Sequence, residues 1–419
     1  MSAISPARYL AIAAAVVGAL AILTAAFNIY VDPYRMYGTD RLPVKPDIYR
    51  HAALAKSYML LRAHARTVIL GNSRTQIGID PDSREWPASA KPVFNAAEAN
   101  GDLFGAYRLL QHAMAASPPQ LIVVGVDFND FRETRRQPDS VGADERRLLV
   151  NRDGSTNGEM TVQLWRDFFL TALSLDALRA SVHTVLDQHD PAARTMTKDG
   201  FNPLHEFGPI VARAGLRQIF LQNGAQYAAR LREQAASPIA AGSGNAELEH
   251  LSDIVRLAAE HKARLIVFIQ PYHARYLEML HDQGLWPAFV AWKEAMLAAI
   301  DAAAGPERDL VRVFDFTDYD DVSTERIPDA GDTRSIMRWY LDPTHYSRDL
   351  GDLMIACMMG AGPVLGAEID DTTIAANNAR IDMNRDRLLG DGHEAMATEP
   401  LKLTARDKVA VPPAIQSSR

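Results

Sequence analysis

Three stretches of the sequence carry residues whose types and spacing could do chemistry. Gly71-Asn72-Ser73-Arg74-Thr75 sets a serine directly after a short β-branched run, Thr67-Val68-Ile69-Leu70. A serine at a tight strand-to-helix turn exposes its hydroxyl beside backbone N–H groups that could line an oxyanion hole. A serine in that place also serves well as a plain helix N-cap. Asp342-Pro343-Thr344-His345 supplies what a serine nucleophile needs. A hydroxyl is a weak nucleophile without a base to take its proton. Histidine titrates near neutrality, and a close carboxylate fixes its tautomer and stabilises the imidazolium. The same four residues also fit a Pro-containing turn that caps the next helix. The third stretch, Gly125-Val126-Asp127-Phe128-Asn129-Asp130, follows the apolar run Leu121–Val126. Asn129 could donate from its side-chain amide; an aspartate at that place, Asp127, would repel an oxyanion unless protonated.

Other residues carry less. Arg74, next to the serine, could pair with an acidic substrate group or form a structural ion pair. His273 follows the apolar run Arg264–Gln270 in Gln270-Pro271-Tyr272-His273, where it could line a cleft. The single cysteine, Cys357, lies in an apolar run at helical spacing and excludes an intramolecular disulfide. It fits a small core residue better than a reactive thiol. The 12 histidines are scattered, without HExxH or a Cys/His cluster, so neither a metal site nor a cofactor is expected.

The elements that must position these residues alternate. Thr67–Leu70, Pro92–Asn95, Leu121–Val126, Arg264–Gln270 and Val311–Phe316 are short apolar runs bounded by turn residues, which fit strands buried on both faces. Helical spacing covers 48–65, 105–116, 246–261, 286–304 and 347–359. Strands alternating with helices predict an α/β fold on a parallel sheet of five strands. Ser73 then follows strand one, Asn129 strand three, and the Asp342/His345 stretch strand five. All come to the carboxyl edge of the sheet, where open parallel sheets bind ligands. Between 132 and 240 the alternation stops. Polar, aperiodic 132–159 is followed by an amphipathic stretch at 162–186, a loop-like 187–208 and a helical 210–236. This insertion is expected to form a lid or lobe, or a plain helical elaboration. A polar helix over about 370–389 and a tail close the chain.

Gly71-Asn72-Ser73 and Asp342 to His345, in this order, resemble the first and last blocks of the SGNH (GDSL-like) hydrolase superfamily over roughly residues 66–365. The resemblance implies a flavodoxin-like three-layer sandwich of SGNH type. Ser73 would be the nucleophile, His345 the base and Asp342 its orienter. The superfamily's second block supplies a glycine N–H to the oxyanion hole; here it reads Asn95-Ala96-Ala97, which makes Asn95 and its successors candidates. The third block, usually Gly-x-Asn-Asp, is two residues longer here, so either Asn129 or Asp127 takes its place. With an N-terminal anchor and the run Trp339-Tyr340-Leu341-Asp342-Pro343-Thr344-His345-Tyr346, the chain looks like membrane-anchored cell-envelope esterase and O-acyltransferase members. That likeness implies an ester substrate such as an acylated glycan, and an envelope acylation complex as partner. The alternative is a non-catalytic envelope binding or assembly module that keeps the fold.

Tyr9 to Phe27 carries no charge and is rich in Ala, Leu, Ile and Val. About 20 apolar residues span a bilayer core as a helix, and a signal-peptide core is only ~7–15 long. Residues 1–30 are therefore expected to be an uncleaved transmembrane anchor in a plasma (inner) membrane, followed by a juxtamembrane linker and helix over 31–65. Arg8 before the span, against Asp32 and Arg35 after it, leans toward a cytoplasmic N-terminus, a topology on which the body of the protein is expected on the periplasmic side. Of 419 residues 47% are hydrophobic and 23% charged, as in globular proteins. A net charge of -8 argues against nucleic acid as a partner.

Overall fold

The computed structural model describes residues 5–132, 145–235, 245–362 and 365–390. They fall into two compact units: Met1–Arg62 with Val141–Lys198 and Asn202–Glu206, and Ala63–Ser140 with Asp199–Phe201 and Phe207–Arg419. The insertion expected over 132–240 is thus divided, 141–198 grouping with the N-terminal span and 207–235 with the sheet.

The second unit is α/β around a mixed six-stranded sheet. Its strands are β1 (Thr67–Leu70), β2 (Val93–Asn95), β3 (Leu121–Val126), β4 (Arg264–Ile269), β5 (Val311–Asp315) and β6 (Ala367–Glu368), in the order β2-β1-β3-β4-β5-β6. β1 to β5 are parallel. β6 runs antiparallel to β5, pairing Phe314 with Glu368, and Arg312 grips the Glu368 carboxylate at 2.8 and 2.6 Å. This edge strand corrects the expectation of a wholly parallel, five-stranded sheet; two residues in a polar stretch leave no periodicity to detect. β1, β2 and β3 are buried throughout and β4 from its second residue on. That burial is why they read as unbroken apolar runs. The chain steps from β1 out to β2 and then returns across β1 to β3. The carboxyl ends of β1 and β3 therefore flank the point where strand order reverses, the place where such sheets open a crevice.

The helical stretches break where the sequence supplies a cap. The segment 162–186 is two helices, Met160–Leu173 and Leu175–Leu186, separated by Ser174, whose Oγ accepts the Ala177 N–H at 3.0 Å. The segment 210–236 is likewise Phe207–Ala214 and Leu216–Ala235, parted by Gly215 at φ 77°.

In the first unit, Pro6–Val31 forms one helix of 26 residues, long and apolar enough to cross a membrane. Directly after it, Val31 to Met36 are buried, while Gly38, Asp40, Arg41 and Pro43 are exposed. The helix end is tied to the helical pair by Asn28, whose amide donates to Ala172 O at 2.9 Å and whose oxygen accepts from Ser181 Oγ at 2.7 Å.

Candidate active site

Ser73 opens a short helix, Ser73–Gly78, immediately after β1. The turn into it depends on Gly71, whose φ of 143° an L side chain rarely adopts and whose added Cβ would press on Gly125 O at 2.9 Å. Asn72 caps the helix, accepting the Arg74 N–H at 3.1 Å, and its amide donates to Asp130 at 3.1 Å. The helix carries Ser73 at its first position. The Ser73 N–H forms no hydrogen bond among the described residues, as expected of a first-turn donor.

The Asp342–His345 stretch is a tight loop. Tyr340 and Tyr346 pair across it and Leu341 N–H donates to His345 O at 2.9 Å. The His273 N–H, just past β4, holds the loop by donating to Pro343 O at 3.1 Å. Within it, His345 Nδ1 lies 2.8 Å from Asp342 Oδ2, and His345 Nε2 lies 3.0 Å from Ser73 Oγ. A proton on Nδ1, bonded to the carboxylate, leaves the Nε2 lone pair facing the serine hydroxyl; this tautomer follows from the hydrogen-bond partners.

Asp342 is fully buried and every lone-pair direction is used. Oδ1 accepts the Thr344 N–H at 2.8 Å and the His345 N–H at 2.7 Å; Oδ2 accepts from His345 and from Asn223 Nδ2 at 2.9 Å. Burial by itself would push this carboxyl up. The facing His345 and the hydrogen bonds from His345 and Thr344 outweigh it and hold the carboxyl well below the usual carboxylate range. Ser73 and His345 are partly exposed. The constellation is therefore a buried anion, an oriented imidazole and an accessible hydroxyl in one line.

Asn223 and Tyr227 were invisible in the sequence. They stand four residues apart on the Leu216–Ala235 helix, so they share a face. Tyr227 Oη lies 3.4 Å from His345 Nδ1. Burial, then the charge of Asp342, drive its hydroxyl well above the ordinary value, so it stays protonated. A polar i, i+4 pair inside a long helix was the only available signal.

The remaining candidates are engaged within the protein. Asn95, fully buried at the end of β2, donates to Thr75 O at 3.0 Å and Ile79 O at 2.8 Å and accepts the Ala97 N–H at 3.0 Å. It staples β2 to the Ser73 helix and has no donor left for an oxyanion. The Ala96 N–H is taken by Ile69 O at 2.8 Å and the Glu98 N–H by Gly71 O at 3.1 Å. Asp127 is ion-paired with Arg74, both buried, which removes Asp127 as a donor and Arg74 as a free cation for substrate. Arg74 also lies 5.8 Å from the Tyr272 ring centre. Asn129 directs its amide to Asp127 Oδ1 at 2.9 Å and Tyr276 Oη at 2.6 Å. It thus belongs to the buried network beneath the site. His273 caps the Ala274–Asp282 helix through Nδ1, 3.1 Å from the Arg275 N–H, and donates from Nε2 to Glu325 O at 2.8 Å. Cys357 is half-buried and its thiol is pushed up by burial. Among the described residues no three His, Cys, Asp or Glu side chains gather as a metal site.

No family model, curated protein or solved structure matches the chain.

Proposed function

We propose that the chain is a serine-dependent ester hydrolase or O-acyltransferase of SGNH type. The observation that carries this reading is the line Ser73 Oγ–His345 Nε2 at 3.0 Å with His345 Nδ1–Asp342 Oδ2 at 2.8 Å. Helix-capping and turn roles would account for either half alone. They do not account for a hydroxyl and an imidazole, 272 residues apart in sequence, meeting at hydrogen-bond distance above a saturated buried carboxylate. The parallel strands follow the flavodoxin-like order β2-β1-β3-β4-β5, and Ser73 after β1 lies beside the switch point of that order, which supports the reading.

The chemistry follows from the atoms. Ser73 Oγ bonds to an ester carbonyl carbon as its proton passes to His345 Nε2, while Asp342 stabilises the imidazolium. His345 then gives that proton to the departing alcohol, leaving an acyl group on Ser73. Water or a sugar hydroxyl, deprotonated by His345, attacks the acyl carbon and returns Ser73 to its free form. The unpartnered Ser73 N–H at the helix start is the donor best supported for the oxyanion. With the apolar Pro6–Val31 helix as a membrane anchor, the substrate class is an acylated cell-envelope glycan or a similar ester outside the plasma membrane.

Labelling of the detergent-solubilised full chain by a fluorophosphonate, beside Ser73→Ala and His345→Ala, tests the proposal. Labelling is expected in the wild type and in neither variant. A folded wild type that does not react, or a Ser73→Ala chain that still does, removes the enzyme reading in favour of a binding or assembly module.

A further inference from the structure

The helical pair that packs beside the N-terminal helix is built inside out. Met160–Leu173 turns Gln163, Asp167 and Thr171 inward, four residues apart on one face, and leaves Trp165, Phe169 and Leu173 exposed. Leu175–Leu186 buries Ala177, Ala180, Ser181 and Thr184 and exposes Leu175, Val182 and Leu186. A helix facing water does the reverse. The exposures are large: Trp165 58%, Phe169 54% and Leu175 82%. The inward polar groups of the first helix are satisfied: Asp167 accepts from Arg147 at 2.7 Å, Tyr58 at 2.9 Å and Gln163 at 2.9 Å, and Thr171 Oγ1 donates to Asp167 O at 2.7 Å. Core demand therefore does not explain the outward apolar face; a non-aqueous surrounding does.

The Pro6–Val31 helix continues that surface. Its own large apolar residues, such as Leu20, Ile22 and Leu23, are exposed. Its partly buried positions include Ala13, Ala21, Thr24, Ala25, Phe27 and Ile29, with Asn28 and Val31 buried; the small Ala21, Thr24 and Ala25 let helices approach closely in lipid. At 14 and 12 residues the paired helices are too short to cross a bilayer, which needs about 20. Trp165 packs against Phe168 and Phe169, and such aromatic groups settle at the boundary of headgroups and acyl chains.

We infer that the Met160–Leu186 helical pair is a second membrane element, seated in the bilayer interface with Trp165, Phe169, Leu173, Leu175, Val182 and Leu186 against lipid. The inference rests on the membrane-anchor reading of Pro6–Val31, whose surface it extends.

Spin labels test the two independently. In a Cys357→Ser background of the full chain, reconstituted in phosphatidylcholine and phosphatidylglycerol vesicles, nitroxides are placed by Phe169→Cys, Leu175→Cys, Leu20→Cys and Arg152→Cys. Collision with oxygen and with a water-soluble nickel chelate is then measured. The oxygen-to-nickel ratio at 169 and 175 is expected several-fold above that at 152, which is exposed on a polar loop. Nickel access at 169 and 175 equal to that at 152 overturns the inference. If position 20 still favours oxygen, the anchor stands without it; if position 20 is also aqueous, both readings fall. Protection at 169 and 175 from both reagents, with dipolar broadening that fades when labelled chains are diluted with unlabelled ones, assigns the face to a second copy of the chain and likewise overturns the inference.

Discussion

Exchanging Asp342 for asparagine keeps the outline of the loop but removes the buried charge and presents the wrong partner to His345 Nδ1. In Ser-His-Asp sites that exchange costs ~10⁴ in turnover, and Asp342→Asn is expected to slow fluorophosphonate labelling to a similar degree. Asn223→Ala removes one of the donors to the same carboxylate, at 2.9 Å. The loss of a hydrogen bond to a charged group, ~1.5–3 kcal/mol, predicts at least a tenfold slower reaction with Ser73 still labelled. An unchanged labelling rate in Asn223→Ala would show that the loop orients Asp342 unaided. His273 belongs to stability. Burial holds its ring down at about 4, against 6.5 in an open chain. The unfolded chain therefore takes up a proton first as pH falls, and the folded chain loses stability between those values. The loss amounts to roughly 3 kcal/mol by pH 4. His273→Gln should flatten this part of the pH dependence, read as urea midpoints of the two chains at pH 7, 5.5 and 4.5. Parallel curves would mean that His273 titrates normally.

At the scale of elements, the Ser73–Gly78 helix is set by its neighbour Arg348–Met358, the helix that follows the His345 loop. Gly351 meets Gly78 O so closely that an added Cβ would overlap it. Gly351→Ala must push the two helices apart, at ~1–3 kcal/mol, and lengthen the Ser73–His345 hydrogen bond. A drop in thermal midpoint together with slower labelling is expected; a stable chain with normal labelling would show that the contact is slack. The sequence disclosed the elements around this contact unevenly. β1 and β3 were plain because burial on both faces writes itself as unbroken Val, Ile and Leu. Ser73 and the Asp342–His345 pair were plain because each sits at a turn with Gly or Pro beside it. Asn223, Tyr227 and Tyr276 were not, since they reach the site from helical faces whose orientation only tertiary packing decides. The same limit hid the roles of Asn95 and Asp127: composition shows a polar residue after a strand but not whether its hydrogen bonds point inward. β6 is too short for any pattern, and Ser174 and Gly215 break helices that look continuous when periodicity alone is followed.

For the molecule as a whole, what matters is where the apolar Pro6–Val31 helix ends. Composition draws a boundary near residue 30, with a linker beyond it, yet the folded unit reaches back into the apolar helix. Asn28 bonds to Ala172 and Ser181, and Val31 O accepts from buried Lys45. A chain begun at Asp32 loses all three contacts and bares the face of the Met160–Leu186 pair that the helix end covered. At about 1 kcal/mol for each hydrogen bond, and with the packing lost besides, the Met160–Leu186 pair should open more easily by at least 2 kcal/mol. Hydrogen exchange of its amides in detergent would then run about thirtyfold faster than in a chain begun at Ala21, which keeps the whole contact. Equal protection in the two truncations would mean that the helix end merely lies against the unit and that the apolar helix and the folded body are separable at residue 32. Faster exchange confined to 160–186, with the sheet strands protected as before, would mean that the apolar helix is a structural part of the first unit, so that a shortened fragment must carry at least its last three turns.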